Sequence, residues 1–412
     1  MSIDIKMAWR NIWRNPRRTI ITISAIAFAC LLLVFMLSFQ FGSYETMINS
    51  SVKIHAGHLQ VQAKEYQDKQ NIRMVVSNPE ETGKILDQLY NIDSYTYRAK
   101  AFSLVSSKNR TYGVMVIGID PSREKMVSTI KSSIRQGSYL SVEDKNQAIV
   151  GRLLAKNLGV LPGDELTIMG QGRDGSIAAT VVSVKGIYSS GLDEFDRSSI
   201  QIPLITFQEV YTMGKAVHEV VVIGNSLWNI SKIKENLQGQ IEKINKKDIL
   251  TVLNWEELMP GLRQGIEMDL TMGIIFYLLL IIVVAFSILN TFLMAIFERT
   301  REFGVLMAIG TTPGRITKLL LIESIGLTMV GIVAGIFIGS LLTLIFQYHG
   351  IDLGGASELL AQYGISGIIY PKLSLLSALS GPLAVFLITF LAALYPALKI
   401  RKLQPVEAMT HV

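Results

Sequence analysis

Five short stretches of this 412-residue chain carry residue types that do chemistry elsewhere, and each falls short on spacing or on its surroundings. Gly170-Gln-Gly172-Arg-Asp-Gly175 fits G-x-G-x-x-G, but a dinucleotide site needs that pattern to open a helix. Here the β-rich run Ala178 to Val184 follows it. A hairpin turn is expected, with the glycines supplying positive φ. His55-Ala-Gly-His58 offers two imidazoles with no Cys, Asp or Glu at metal-ligand spacing, so both histidines are expected on a strand surface. Gly83-Lys84 and Gly214-Lys215 lack the flanking glycine and Ser/Thr of a phosphate loop, and Leu379-Ser-Gly381 lies in an apolar run beside Pro382. The reading is therefore no catalytic residue, no metal and no cofactor in this chain.

The remaining candidates lie in or beside long apolar runs. Leu270 to Phe297 and Leu373 to Leu398 are uncharged, as is Thr19 to Ser43, and Leu319 to Phe346 carries only Glu323. Each exceeds the ~20 residues a helix needs to cross a hydrocarbon core of about 30 Å. Glu323 is costly there unless snorkelled or paired, and no second charge within the runs accompanies it. Gly331, Gly335 and Gly339 recur every four residues on one helix face, which predicts close packing against another helix.

Four spans place the charges. Assigning both termini and the 298–318 connector to the cytoplasm gathers twelve basic residues there, against one lysine, Lys372, in the short loop 347–372. The segment 43–269 is then outside, with 26 basic and 26 acidic residues, so the net charge of +6 comes from the cytoplasmic pieces and no nucleic-acid face is implied. Cys30, alone, lies in the first span and allows no intrachain disulfide. The apolar run continues well past Cys30, longer than a signal-peptide core, so a retained anchor is expected. Ahead of it, Met7 to Arg18 sets Trp9 and Trp13 apart from Arg10 and Arg14, as an interfacial helix does.

The outer segment alternates helix and strand patterns. Pro79 with two acids opens a helix; Tyr95 to Ile119 reads as two strands about a turn near Lys108-Asn109; Ala148 to Val150 and Glu165 to Met169 read as strands. Ala178 to Tyr188, Ser199 to Pro203 and the edge-like run Val217 to Ile223 are further strands, with a polar loop from Gly191 to Arg197. Leu227 to Lys247 has a helical stripe of isoleucines and Leu237. Trp255, Leu258, Leu262 and Ile266 form another stripe, predicted to run into the second span without a break.

The chain resembles the FtsX-like permease family of ABC transporter membrane subunits, also called the MacB/LolC/LolE type. The resemblance rests on Ala8-Trp-Arg-Asn-Ile-Trp-Arg-Asn, on Gly151-Arg-Leu-Leu-Ala-Lys-Asn-Leu-Gly-Val-Leu-Pro-Gly-Asp164, on Glu298-Arg-Thr-Arg-Glu-Phe-Gly with Gly310, and on Pro405-Val-Glu-Ala408. Gly118-Ile-Asp-Pro121 and Gly57-His-Leu-Gln-Val look closer to the lipoprotein-releasing branch.

That resemblance implies an α-helical membrane domain of four transmembrane helices, with a large α+β extracytoplasmic domain inserted between helices 1 and 2. The expected organisation is a cytoplasmic amphipathic helix 1–18, spans 19–43, 270–297, 319–346 and 373–398, and a periplasmic domain 44–269. Its base would be 44–104 and 213–269, with an inserted subdomain at 105–212; the loop 347–372 is periplasmic and the tail 399–412 cytoplasmic. The implied partners are a cytoplasmic ABC ATPase dimer that binds ATP and Mg, a second permease copy or paralogue, membrane lipids, and a lipoprotein or other periplasmic substrate. Glu298, Arg299, Glu302, Gly304, Ala308 and Gly310 match the family's coupling segment.

The implied function is permease work by mechanotransmission in a bacterial inner membrane, releasing lipoproteins. Phe35, Met36 and Phe39, with Met272 and Phe276, are candidate walls of a cavity for acyl chains, or ordinary core. Two alternatives stand: export of a drug, peptide or toxin through a periplasmic adaptor and outer-membrane duct, and signal transmission to a cell-wall hydrolase or sensor. The hairpin at Met169 to Ala178 is short and glycine-rich, so the chaperone hook of lipoprotein-releasing subunits is not carried over.

Overall fold

The computed structural model describes residues 3–244, 249–352, 354–355 and 367–400. Pro405 to Ala408 lie outside the described residues. The chain forms two compact units. One comprises Met1–Tyr44, Ile266–Asp352 and Ile368–Val412; the other comprises Glu45–Gly265 and Leu353–Gly367.

The first unit is helical. Among the described residues four helices are long and apolar enough to cross a membrane, within Pro16–Ala56, Pro260–Met294, Pro313–His349 and Leu375–Leu398. The first is the hub of the other three. Gly331, Gly335 and Gly339 of the third face it so closely that an added Cβ at Gly335 would stand 2.6 Å from the Ala27 carbonyl oxygen. The fourth approaches through Gly381 beside Leu33, and Ser38 and Ser377 bond across at 2.9 Å. The second joins through Gln40, which accepts from the Tyr277 hydroxyl at 2.8 Å, and through Asp269, which accepts from Gln40 and Tyr44. Small and hydroxylated residues do this work because apolar surface gains nothing by leaving lipid.

One expectation fails along the second span. The stripe from Trp255 does not run on unbroken: helix Trp255–Leu258 ends at Met259 (φ −129°, ψ 65°), and a new helix starts at Pro260. Proline excludes the α conformation from the residue before it, which sets the break. Downstream, the same helix runs on through Ala308, so the first part of the 298–318 connector forms its last turns. Phe303 and Met307 are buried with Ile296, Ile316 and Leu320, and this apolar stripe carries the helix past the charged residues.

The second unit is built on one ten-stranded mixed sheet. Its strands are β1 Leu59–Ala63, β2 Ile92–Ser106, β3 Thr111–Ile119, β4 Ile134–Gly137, β5 Gln147–Gly151, β6 Glu165–Gln171, β7 Ile177–Tyr188, β8 Ser199–Pro203, β9 Glu219–Gly224 and β10 Leu250–Asn254. The order is β10-β1-β9-β2-β3-β8-β5-β7-β4, with β6 bridging β2 and β7.

Two large apolar cores line this sheet, beside smaller clusters such as that of Ile119, Ile149 and Tyr188. One gathers Leu59, Val61, Val220, Val222 and Val252 under the helices Pro79–Asp87 and Ile230–Ile244. The other gathers Val105, Val116, Leu154, Leu166, Val184, Ile200 and Phe207. The 15-residue β2 is long enough to serve both.

Two local readings are corrected here and one is borne out. The β-branched run after Val217 is not an edge: β9 is buried at every residue and lies between β1 and β2. Its unbroken apolar character is what burial on both faces requires. The polar stretch Gly191 to Arg197 contains a helix, Asp193–Ser198, held by Asp196, whose carboxylate accepts from the Ser190 amide and hydroxyl. The glycines after β6 do form a hairpin turn, with Gly175 at φ 93°.

The histidines are not on a strand surface either. His55 lies in the helical turn Val52–Ala56, edge-on to Phe195. His58 is buried, its Nδ1 accepting from the Gly224 amide at 3.1 Å and its Nε2 facing Asn49 Oδ1 at 3.0 Å. Burial pushes its pKa down to about 4. His218 repeats the arrangement, between the Lys100 amide and the Ile72 carbonyl, and burial lowers it to about 4 as well.

Candidate functional site: the charged base of the helical unit

The residues marked for coupling all lie on the last turns of the long second helix and the turn after it. Glu302 lies four residues after Glu298 and three after Arg299, so it shares a face with both. That face meets the N-terminal segment and the third span. Glu298 pairs with Arg18 at 3.0 Å, and Glu302 with Arg14 at 2.6 Å. Arg299 reaches Glu323 at 3.1 Å and Glu302 at 3.4 Å, with its guanidinium 5.3 Å above the Phe303 ring.

Glu323 therefore does have a charged partner. The partner is 24 positions away in sequence and comes from outside the apolar run, so span-by-span reading missed it. The pair is nearly sealed, with side-chain exposures of 11% for Arg299 and 8% for Glu323. A buried carboxylate that faces a guanidinium costs far less than a lone one. Farther out, the hydrogen bond from Arg14 draws the Glu302 carboxyl below its usual range.

The helix Ile3–Ile12 packs its Ala8 and Ile12 inward, with Ile12 beside Gly326, and leaves Trp9 and Trp13 exposed together, ring centroids 6.3 Å apart. Asp4 ties this helix to Arg315 and Lys318 of the third span, each at 3.4 Å. A crevice lined by Asn15, Thr19, Thr22, Thr291, Arg299 and Glu323 opens beside these pairs.

Gly304 is buried inside the helix, and Ala308 is its last residue. Gly310, at φ 100°, ends it: its amide donates to the Met307 carbonyl at 3.0 Å and the Thr311 amide to the Leu306 carbonyl at 3.0 Å. That is a Schellman closure, and the left-handed residue it requires is the reason for glycine. Thr312 and Pro313 start the third span at once. The tip this creates exposes Arg301, Val305, Leu306 and Ile309, the last at 78%. Sequence reading passed over the aliphatic members because apolar residues beside a span look like its continuation.

The candidate cavity residues divide. Phe35 stacks on Phe39 at 6.5 Å and meets Phe346 edge-on at 5.8 Å, whereas Met36, Met272 and Phe276 are exposed. Among the described residues no group of three or more His, Cys, Asp or Glu is placed to hold a metal.

Four apolar helices knit by small residues, a charged base, and a large α+β domain inserted after the first helix define the class: a multi-span membrane protein with an extracytoplasmic domain. The MacB-like periplasmic core domain matches residues 19–240 and the FtsX-like permease C-terminal domain matches residues 274–405, and the chain belongs to this FtsX-like, MacB-type family of ABC transporter permeases.

Relatives include the lipoprotein-releasing system transmembrane protein LolC of Neisseria meningitidis, 22% identical over 75% of this chain and 76% of its own length. The ABC transporter permease YknZ of Bacillus subtilis is 27% identical over 54% of this chain and 52% of its own. The pyoverdine export ATP-binding/permease protein PvdT of Pseudomonas syringae is 25% identical over 98% of this chain and 59% of its own.

Proposed function

We propose that this chain is the membrane subunit of a mechanically coupled ABC transporter that releases lipoproteins from the bacterial inner membrane, its termini and the 298–318 segment facing the cytoplasm. The observation that carries the coupling is the continuity of the helix from Pro260 through Ala308. A displacement applied at its exposed tip is transmitted along the axis, since a helix resists bending where no proline or bulge interrupts it. A separate ATPase that binds ATP and Mg would press on Arg301, Val305, Leu306 and Ile309, while Glu298, Arg299 and Glu302 brace the tip against the N-terminal segment and the third span. A second permease copy or paralogue would complete the assembly, with the exposed Met36, Met272 and Phe276 available to it, to lipid or to acyl chains.

Lipoprotein cargo is supported by the similarity to LolC over three quarters of each chain. The export reading draws on PvdT, which aligns with nearly the whole chain. Reconstitution with its ATPase in vesicles loaded with a triacylated lipoprotein separates them. ATP-dependent appearance of the lipoprotein in solution supports release; vesicle retention of the lipoprotein with ATP-driven movement of a soluble siderophore supports export.

A further inference from the structure

The extracytoplasmic unit contains a pocket of about 440 Å³, within the size range of small-molecule sites. Its floor is one face of the central sheet. Register puts Gln62 opposite Glu219 and Glu219 opposite Arg98, and two residues along the same strands Gln60 and Lys100 share that face. Lys100 in turn lies opposite Ile117. Gln60, Lys100, Glu219 and Ile117 line the pocket, and Met115, Phe195 and Leu258 supply apolar wall.

This polar row is buried and only half bonded. Gln60 Nε2 donates to the Ala56 carbonyl at 2.7 Å, and Lys100 Nζ donates to Glu219 Oε1 at 2.6 Å. Gln60 Oε1 and Glu219 Oε2 have no partner, although the two residues are only 2% and 3% exposed. Buried oxygens are nearly always bonded, so two unpartnered acceptors on residues that line the pocket call for a donor. Charge narrows the choice. Lys100 and Glu219 cancel, and Glu194, also on the lining, leaves an acidic balance that disfavours anions.

We propose that this pocket binds a compact amphipathic molecule, an aromatic or aliphatic body carrying an N–H donor and either neutral or singly cationic. Ser51 and His55, which follow the first span in sequence, and Leu258 and Met259, which precede Pro260, share its lining. A bound molecule thus touches both segments through which the domain is joined to the spans, whatever cargo the permease moves.

Tryptamine and indole-3-acetate, which share a ring and differ in charge, test this on the full chain in nanodiscs by saturation-transfer NMR and equilibrium titration. Tryptamine is expected to bind saturably, with indole-3-acetate failing to displace it, and Glu219→Gln and Met115→Trp are each expected to weaken it about tenfold or more. Ser198→Trp fills the pocket from an exposed lining position, so its effect is free of core disruption, and the same loss is expected there. Absence of saturable binding, equal binding of the acid, or tryptamine binding unchanged in Ser198→Trp overturns the proposal.

Discussion

Each unit buries an arginine, and the two are satisfied differently. Arg98, in the sheet, is closed off: Nε and Nη2 bond the two oxygens of Glu124 at 3.0 and 2.6 Å, Nη1 donates to the His55 carbonyl, and the side chains are 4% and 1% exposed. Arg299, at the base of the helices, is one link of a chain that starts at sealed Glu323 and ends in the half-exposed pair Glu302–Arg14. A closed pair has a single arrangement and serves stability. An open chain has exposed links of little individual worth that can be exchanged when a partner presses on them.

The sharpest way to break this comparison is Arg98→Ala. It strands Glu124, buried on the helix Pro121–Val127 against the sheet, and removing one member of a buried pair costs about 3–5 kcal/mol. The extracytoplasmic unit should unfold at clearly lower denaturant in the full chain, followed by limited proteolysis. Arg98→Met with Glu124→Leu should recover most of the loss, because burial without charge needs no partner. Equal damage from the single and the double change would mean that the arginine is needed for its shape.

Acid should weaken the same unit through His58 and His218. Both have folded pKa values of about 4, below the ordinary 6.5. Above that ordinary value both states are neutral and the native bonds hold. As pH falls from about 6.5 toward 4 only the unfolded chain takes up the protons, so stability is lost across that window. Between pH 7 and pH 5 the loss is about 2 kcal/mol per histidine. The melting temperature of the unit should drop accordingly, and His218→Gln should flatten the profile; a profile unchanged by the substitution removes His218 from the account.

Hydropathy made the helical unit legible, since a long uncharged run has few soluble readings, and strand alternation recovered the pair β2 and β3 about its turn. What stayed hidden was pairing over distance. Arg98 looks like any polar residue on an alternating strand, and only the strand order reveals Glu219 across from it and Glu124 above. Glu323 looked alone for the same reason. The break at Met259 was readable from Pro260, but the apolar stripe through Ile266 outweighed it.

The glycine face of the third span gives an intermediate effect. At Gly335 a Cβ would meet backbone, the Ala27 carbonyl oxygen at 2.6 Å, whereas at Gly339 the nearest atom, the Leu31 Cα, is 3.1 Å away. Gly335→Leu should cost about 1–3 kcal/mol of helix association, and Gly335→Ala less but still measurably, since backbone cannot swing aside. Gly339→Ala should be milder than Gly335→Ala. Insertion should be normal in all three while the melting temperature in detergent falls in that order; an unchanged value for Gly335→Leu would mean that the two helices part without loss.

The smallest effect on stability, and the one that sharpens the comparison most, is expected at the tip. Reversing Arg299 or Glu302 unties links to Glu323 or Arg14, so any fall in ATPase stimulation there mixes lost docking with a loosened base. Arg301→Glu and Ile309→Asp avoid this: both side chains are exposed, and Ile309 lies beyond the last helical residue. Substitutions at such positions shift stability by no more than about 0.5 kcal/mol. If the tip is where the ATPase presses, these variants should insert and melt normally, yet lose most of the stimulation that the unmodified permease gives its ATPase, and Ile309→Val should retain it. Full stimulation by Ile309→Asp together with loss in Glu302→Lys would instead place the docking surface on the carboxylates of the chain, and the open arrangement would then be the contact itself.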